Sequence, residues 1–208
     1  MKRKLKIEIG LAIFLLLIAL FGSFLAPYDP LKVNYDFSLQ PPSFLHIFGT
    51  DKLGRDVFSR ILCGAKTSFG LTFLMLFLIV FIGMIVGLIA GLSNDKVESF
   101  FNNIINGLLA FPDTIFAIAI VGIVGAGLFN TVFALALIWW TKYARLTLAL
   151  VKQEKKKNYL VISKMSGVPP LQRIIRYLLP NILSQILVTA FLDIGNMMIS
   201  LAGLSFLG

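Results

Sequence analysis

Long uncharged apolar runs, separated by short charged stretches, organise this chain. Ile9 to Ala26 is a run of 18 residues without a charge, set behind Met1-Lys2-Arg3-Lys4-Leu5-Lys6. Phe69 to Leu92 is a second run. Thr114 to Thr141 is a third, too long for one helix, with Gly125-Ala126-Gly127 and Asn130 marking a turn inside it. Asn181 to Leu207 is broken only by Asp193. A helix needs about 20 apolar residues to cross a hydrocarbon core of roughly 30 Å. The pattern therefore predicts an all-α polytopic membrane protein with about five spans. The fourth span begins near Asn130 and must run past Lys142 and Arg145, whose long side chains are expected to snorkel to the interface. The basic start resembles a signal peptide, but Phe24 suits a cleavage site after Ala26 poorly, so the first run is read as an uncleaved span.

Charge sets the orientation. The N-terminal tail carries four Lys/Arg, and Lys142 to Arg176 carries nine with one acid, Glu154, whereas Pro27 to Ser68 carries five basic and four acidic residues. The positive-inside rule places the tail and the Lys142–Arg176 segment in the cytoplasm and Pro27–Ser68 outside, which leaves Gly208 outside. The chain divides into a basic tail with the first span (1–26), an extracytoplasmic segment (27–68) and a transmembrane domain (69–208) with a cytoplasmic loop at 152–180. The net charge of +9 is thus largely topological, and nucleic-acid binding is not expected. At 58% hydrophobic and 14% charged, the composition excludes a disordered chain and most soluble enzymes. One cysteine, Cys63, and one histidine, His46, leave no disulfide, no Cys/His cluster and no firm metal site. No phosphate-binding loop is present and no nucleophile, base and orienter set stands out, so the chain reads as non-catalytic.

Several local patterns carry more. Gly83, Gly87 and Gly91 recur every four residues on the second span, which lets another backbone approach closely, from this chain or from a second subunit. Pro112 should kink or begin the third span, with Asp113 beside it at the membrane boundary. Lys155-Lys156-Lys157 reads as a solvated face near anionic lipid headgroups. In the cytoplasmic segment, Tyr159 to Ser166 can form two helical turns, Gly167 can end them in the left-handed conformation, and Pro169 and Pro170 suit the first turn of a new helix. Leu171, Ile174, Ile175 and Leu178 follow at amphipathic spacing. A short helix, a sharp turn and a second helix can act as a lever for a soluble partner.

This segment resembles the coupling loop of ABC importer permeases, whose signature is Glu-Ala-Ala, three residues, Gly, nine residues, then Ile-x-Leu-Pro. Gly167 and Leu179-Pro180 fall at that spacing. Val161, Ile162 and Ser163 stand at the first three positions, so the usual carboxylate is missing, and Tyr177 replaces Ile. A second match narrows the family. Phe48-Gly49-Thr50-Asp51-Lys52-Leu53-Gly54-Arg55-Asp56-Val57-Phe58-Ser59-Arg60 is similar to a segment that follows the first span in dipeptide/oligopeptide/nickel permeases. Ala110-Phe111-Pro112, Tyr143-Ala144-Arg145 and Leu204-Ser205-Phe206-Leu207-Gly208 match as well, and Pro27-Tyr28-Asp29-Pro30 marks the second-subunit type. The resemblance implies a type I permease bundle in a bacterial cytoplasmic membrane. It implies a heterodimer with a second permease subunit, two ATPase subunits that bind ATP-Mg, and an extracytoplasmic substrate-binding protein. No cofactor is then expected on this chain. The family usually has six spans, so this chain looks C-terminally shortened. Without an ATPase, the same chain would be a passive channel or membrane scaffold.

Two candidate sites remain open in use. Gly49, Thr50, Asp51, Gly54, Arg55 and Asp56 alternate charge in a turn-rich linker, which suits structural stiffening, substrate contact or docking of an external binding protein. Asp193-Ile194-Gly195-Asn196-Met197-Met198 resembles the residue order of nickel permeases. Asp193 lies about mid-span, where a carboxylate is costly and a functional candidate. With Asn196, Met197 and Met198 it can line a weak nickel path, or it can pair with a neighbouring helix while the methionines fill space. The expected cargo is nickel, as the ion or a chelate, with dipeptides or oligopeptides as the alternative.

Overall fold

The computed structural model describes residues 2–207. Gly208, which closes the Leu204-Ser205-Phe206-Leu207-Gly208 match, and its expected outside position lie beyond the described residues, as does Met1. The described chain is helical, with one isolated bridge between Thr50 and Asp56 as its only strand-like pairing. The helices are α1 (Lys2–Leu25), α2 (Val57–Leu92), α3 (Asp95–Leu109), α4 (Asp113–Val124), α5 (Leu128–Lys155), α6 (Asn158–Met165), α7 (Pro170–Arg173) and α8 (Leu179–Leu207). A π-helical turn, Ile174–Leu178, joins α7 to α8. Four helices are long and apolar enough to cross a membrane, and five spans result if the bent pair α3–α4 counts as one. The chain forms two compact units, residues 1–70 and 71–208.

In the first unit, α1 leaves most of its apolar side chains exposed, as a lipid-facing helix does, and Gly22 lies against Leu62 at the start of α2. The segment between them is a knot of local hydrogen bonds. Asp51 Oδ1 accepts the backbone N–H groups of Leu53 (2.9 Å) and Arg55 (3.0 Å), and Oδ2 takes the Arg55 guanidinium at 2.8 and 2.7 Å. The Arg55 side chain and these N–H groups hold the Asp51 carboxyl at about 2, below the usual carboxylate range. Buried Asp56 accepts the Ser59 N–H and hydroxyl, both at 2.7 Å, and lies 2.9 Å from His46 Nδ1. Burial alone would raise the Asp56 carboxyl, but the Ser59 and His46 bonds outweigh it and keep the group below its ordinary value. Gly54 has a positive φ of 70° and sits on the carbonyl of Asn34, so any side chain there would collide with backbone.

The second unit is built around α5. Its buried row includes Thr131, Leu135, Ile138, Tyr143, Thr147 and Val151, while the apolar faces of α2 and α8 supply Met75, Ile79, Ile182, Ile186 and Met197. The three spaced glycines pack within this chain. A Cβ on Gly83 would stand 2.6 Å from Tyr143 Cβ, on Gly87 2.5 Å from Thr147 Cβ, and on Gly91 2.8 Å from Val151 Cγ1. The glycine row on α2 thus meets a second four-residue row on α5, and the absent side chains let the helices touch.

Four expectations change. The second span begins at Val57, twelve residues before Phe69, because Val57–Ser68 continues the helix outward. At 36 residues, or about 54 Å, α2 exceeds a bilayer core. The third run starts a helix at Pro112 and turns at Gly125–Gly127 as expected, but that helix, α4, is only 12 residues or about 18 Å long, too short to span alone, and it bends 83° from α3. The second helix of the cytoplasmic loop is the one-turn α7, running through the π turn into α8, and within its amphipathic set Leu171 and Ile175 are exposed while Leu178 is buried. Lys142 does not snorkel; it is held by an acid on α8, as described below.

A side chain on the glycine row should separate α2 from α5. Gly87→Val is expected to destabilise the folded protein by about 1–3 kcal/mol, the usual cost of overpacking. The same change at Gly70, Gly70→Val, where nothing lies within 4 Å, should be tolerated. Thermal unfolding of the purified protein in detergent measures both, and equal melting points for the two variants would overturn the glycine contact.

Candidate functional site: a charged cavity and a cytoplasmic lever

A cavity of about 1010 Å³ opens where α3 and α4 meet α5 and α8. Apolar residues make most of its wall, with Asp113 from α4, Lys142 and Arg145 from α5, and Asp193 and Asn196 from α8 among the polar ones. Lys142 Nζ donates to both oxygens of Asp193, at 2.8 and 2.6 Å, and the Tyr143 hydroxyl donates to Oδ2 at 2.9 Å. Asp193 is only 6% exposed, so its charge is balanced inside the bundle rather than in water. Arg145 hydrogen-bonds the side-chain oxygen of Asn106 on α3.

Of the four residues singled out around Asp193, the fold brings two to this cavity. Asp193 and Asn196 line it. Met197 is fully buried in the hydrophobic core, and half-buried Met198 is not among the lining residues. Asp193 stands between the two on the helix: Asn196 lies about 60° to one side of it and Met197 about 40° to the other, so α8 is rotated with the Asn196 side at the cavity and the Met197 side in the core, while Met198 lies about 140° round. Among the described residues, no three His, Cys, Asp or Glu side chains come together as a metal-binding group.

Reading the sequence missed Lys142 and Tyr143 as partners of Asp193. The available signal was an unmatched cation and an unmatched acid in separate apolar runs, since charges at that depth are expected to pair.

The cytoplasmic segment folds around two devices. Gly167 has φ of 74° and ends α6, with its N–H on the Lys164 carbonyl and the Val168 N–H on the Ser163 carbonyl. Pro169 is the N-cap of α7 and Pro170 its first residue. On α6, Val161 and Ile162 are exposed, with Met165 beside them, while Ser163 is buried and donates to the Leu160 carbonyl. The second device is Glu154, 4% exposed at the end of α5, which accepts Lys157 Nζ at 2.6 Å and the Tyr159 hydroxyl. Asn181 Nδ2 donates to the Tyr159 oxygen at 3.2 Å, so one chain of bonds joins α5, α6 and α8. Burial, then the Glu154 carboxylate, pushes the Tyr159 hydroxyl up to about 12. Glu154 stands seven residues before Val161, too far for the family spacing to flag. Leu179 and Pro180 open α8.

Between α1 and α2, Gly49, Thr50, Asp51, Gly54, Arg55 and Asp56 are brought together in the knot described above, their polar groups bonded largely to one another and to neighbouring backbone.

The comparisons with known proteins agree with this geometry. Residues 83–208 match the family described as binding-protein-dependent transport system inner membrane component, and residues 9–42 match the N-terminal TM domain of oligopeptide transport permease C. Nickel transport system permease protein NikC of Escherichia coli (strain K12) is 34% identical over 194 residues, covering 93% of this chain and 70% of that protein. Di/tripeptide transport system permease protein DppC of Pseudomonas aeruginosa is 38% identical over 209 residues, covering 96% and 69%. Dipeptide transport system permease protein DppC of Haemophilus influenzae is 34% identical, covering 96% and 70%. A bundle of membrane-length helices, a glycine-ended cytoplasmic helix at the family spacing and a match over more than half its length place this chain in the family of binding-protein-dependent transport system inner membrane components.

Proposed function

We propose that this chain is a pore-forming permease subunit of an ATP-driven importer, and that its cargo is nickel enclosed in a small carboxylate-bearing chelate. The transport class rests on α6. This helix presents Val161, Ile162 and Met165 to solvent at the end of the bundle that carries the basic residues. An exposed apolar face on a turn-limited helix suits docking into a groove of a soluble ATPase subunit. A passive channel has no use for it. ATP-Mg would bind that subunit, and the Glu154–Tyr159–Asn181 chain would carry a rigid-body movement of α6 to α5 and α8. A second permease subunit would close the open side of the cavity, and a binding protein outside would deliver the cargo.

The cargo reading rests on the balance of charge at the cavity. Lys142 satisfies Asp193, and the methionine sulfurs do not join it, so a bare divalent cation meets Lys142 and Arg145 with Asp113 as the one further carboxylate and no assembled donor set. A chelate that brings its own ligands and carboxylates suits such a wall. Nickel itself is favoured by the Asp-Ile-Gly order at 193–195 and by the NikC relative. The second reading is a short peptide, whose C-terminal carboxylate meets the same two cations and which the DppC relatives transport by name.

Three outcomes are expected. Cells lacking this chain should lose uptake of radioactive nickel supplied with a carboxylate chelator while still growing on dipeptides as the sole amino-acid source; the reverse pattern gives the chain to peptides. Gly167→Val forces a β-branched residue into a positive-φ turn at a cost of roughly 1–3 kcal/mol. Transport should fall while the protein still inserts, with less ATPase subunit co-purifying, and normal uptake would remove the coupling role. Asp193→Asn removes the acceptor of the Lys142 ammonium and of the Tyr143 hydroxyl; Lys142 is half exposed, so water screens part of the loss and the cost falls below that of a fully buried pair. The variant should accumulate less protein. The exchange Lys142→Asp with Asp193→Lys should restore the level if pairing is the role, and immunoblots of membrane fractions decide it.

A further inference from the structure

A second cavity, of about 540 Å³, lies between α6 and the α7–α8 junction, with Leu92 at the end of α2 and Lys155 at the end of α5 on its rim. Its charged lining residues are Lys155, Lys164 and Arg173, and none of its nine lining residues is acidic. The nearest acid in sequence, Glu154, is engaged by Lys157 and Tyr159. The rest of the wall is apolar or proline and includes Leu92, Leu160 and Ile174. Arg173 Nε is buried and has no hydrogen-bond partner among the described residues. Lys155 spends one of its three donors on the Gly91 carbonyl, at 3.0 Å, leaving two.

A solvated basic surface would leave its cations apart on a convex face, with every N–H in water. Here three cations share a concavity with an apolar wall, and one guanidinium N–H is shielded without an acceptor. A buried donor without a partner is costly, and like charges gathered without an acid repel, so this arrangement is completed by an anion that brings several acceptor oxygens. The place selects the anion. The cavity sits where long apolar helices end and the basic loop begins, the level of lipid headgroups on the side that the positive-inside rule makes cytoplasmic. A phosphodiester can meet the cations while an acyl chain lies along the leucine and isoleucine wall.

We propose that this cavity binds the phosphate headgroup of an anionic phospholipid from the cytoplasmic leaflet. Three of its lining residues, Leu160, Val161 and Lys164, belong to α6, so the bound lipid braces that helix from the membrane side. Lipid binding here does not depend on the cargo, whereas its effect on coupling rests on the proposed docking of α6, with which the site shares Val161. It makes the stability of this corner depend on lipid composition.

The test uses the chain purified with whatever subunits accompany it, placed in nanodiscs of phosphatidylcholine alone or mixed with phosphatidylglycerol. Native mass spectrometry after detergent release reads the lipid retained. The protein should keep phosphatidylglycerol through release, and Lys164→Gln with Arg173→Gln should reduce that retention by about tenfold or more. Lys156→Gln with Arg176→Gln removes the same charge outside the cavity and should leave it unchanged. The charge-keeping pair Lys164→Arg with Arg173→Lys should retain lipid, which separates loss of the site from loss of the fold. Equal losses in the two Gln pairs would reduce the effect to general surface attraction and overturn the proposal. So would displacement of the lipid by millimolar inorganic phosphate, which would make free phosphate the ligand. Lipid retained only after the accompanying subunits are stripped away would show that a protein partner fills the cavity, and would overturn it too.

Discussion

Contact between the backbones of α2 and α5 is the constraint on which the rest of the second unit depends. Apolar surface gives little drive for two helices to associate in lipid, because lipid tails are as apolar as leucine. Close packing must do that work, and it needs small residues. Gly83, Gly87 and Gly91 supply them, facing Tyr143, Thr147 and Val151 on α5. Once α5 is held there, its opposite face is presented to α3, α4 and α8, and the polar residues along it acquire fixed partners. Tyr143 belongs to both sides of this arrangement, since its Cβ meets α2 and its hydroxyl bonds Asp193 on α8.

A low-dielectric interior makes charge pairing the second organising force. Lys142 and Asp193 neutralise one another across α5 and α8, and Glu154 takes Lys157 and Tyr159 where α5 ends. Both acids are nearly inaccessible; Asp193 ties α8 to α5, and Glu154 fixes α6 against the end of α5. The same principle explains the knot between α1 and α2, where Asp51 and Asp56 accept backbone and side-chain donors in a segment whose regular structure is one 3-10 turn, Tyr35–Phe37, and one isolated bridge. Buried hydrogen bonds there replace the hydrophobic core that so short a segment cannot build.

These pairings also account for what the chain can offer a transported solute. A carboxylate already held by an ammonium is not available as a metal ligand, whatever its depth in the membrane. The residues around Asp193 therefore contribute a shaped, charge-balanced wall. Arg145 and Asp113 are the charged lining residues left beside that pair, one of each sign. The exposed apolar face of α6 and the cationic cavity behind it are the places proposed above for partners of different chemistry, one aqueous and protein-like, the other membrane-borne.

The sequence by itself determined the class and much of the local geometry. Apolar length located the spans, Lys/Arg imbalance set their expected orientation, and Gly167 with Pro169 and Pro170 foretold a left-handed helix end and a proline-started turn, because backbone rules act within a few residues. Glycines four apart announced a close contact but not its partner. Only the tertiary structure decided that the partner is α5, that α4 is too short to span alone and bends steeply from α3, and that Lys142 turns inward to Asp193 fifty-one residues away. It also separated Asp193 and Asn196, at the cavity, from Met197 in the core. Periodicity says which residues share a helical face. Which face meets a cavity, and which charge finds which, is set by how the helices are rotated against one another, and that rotation is fixed by contacts between distant parts of the chain.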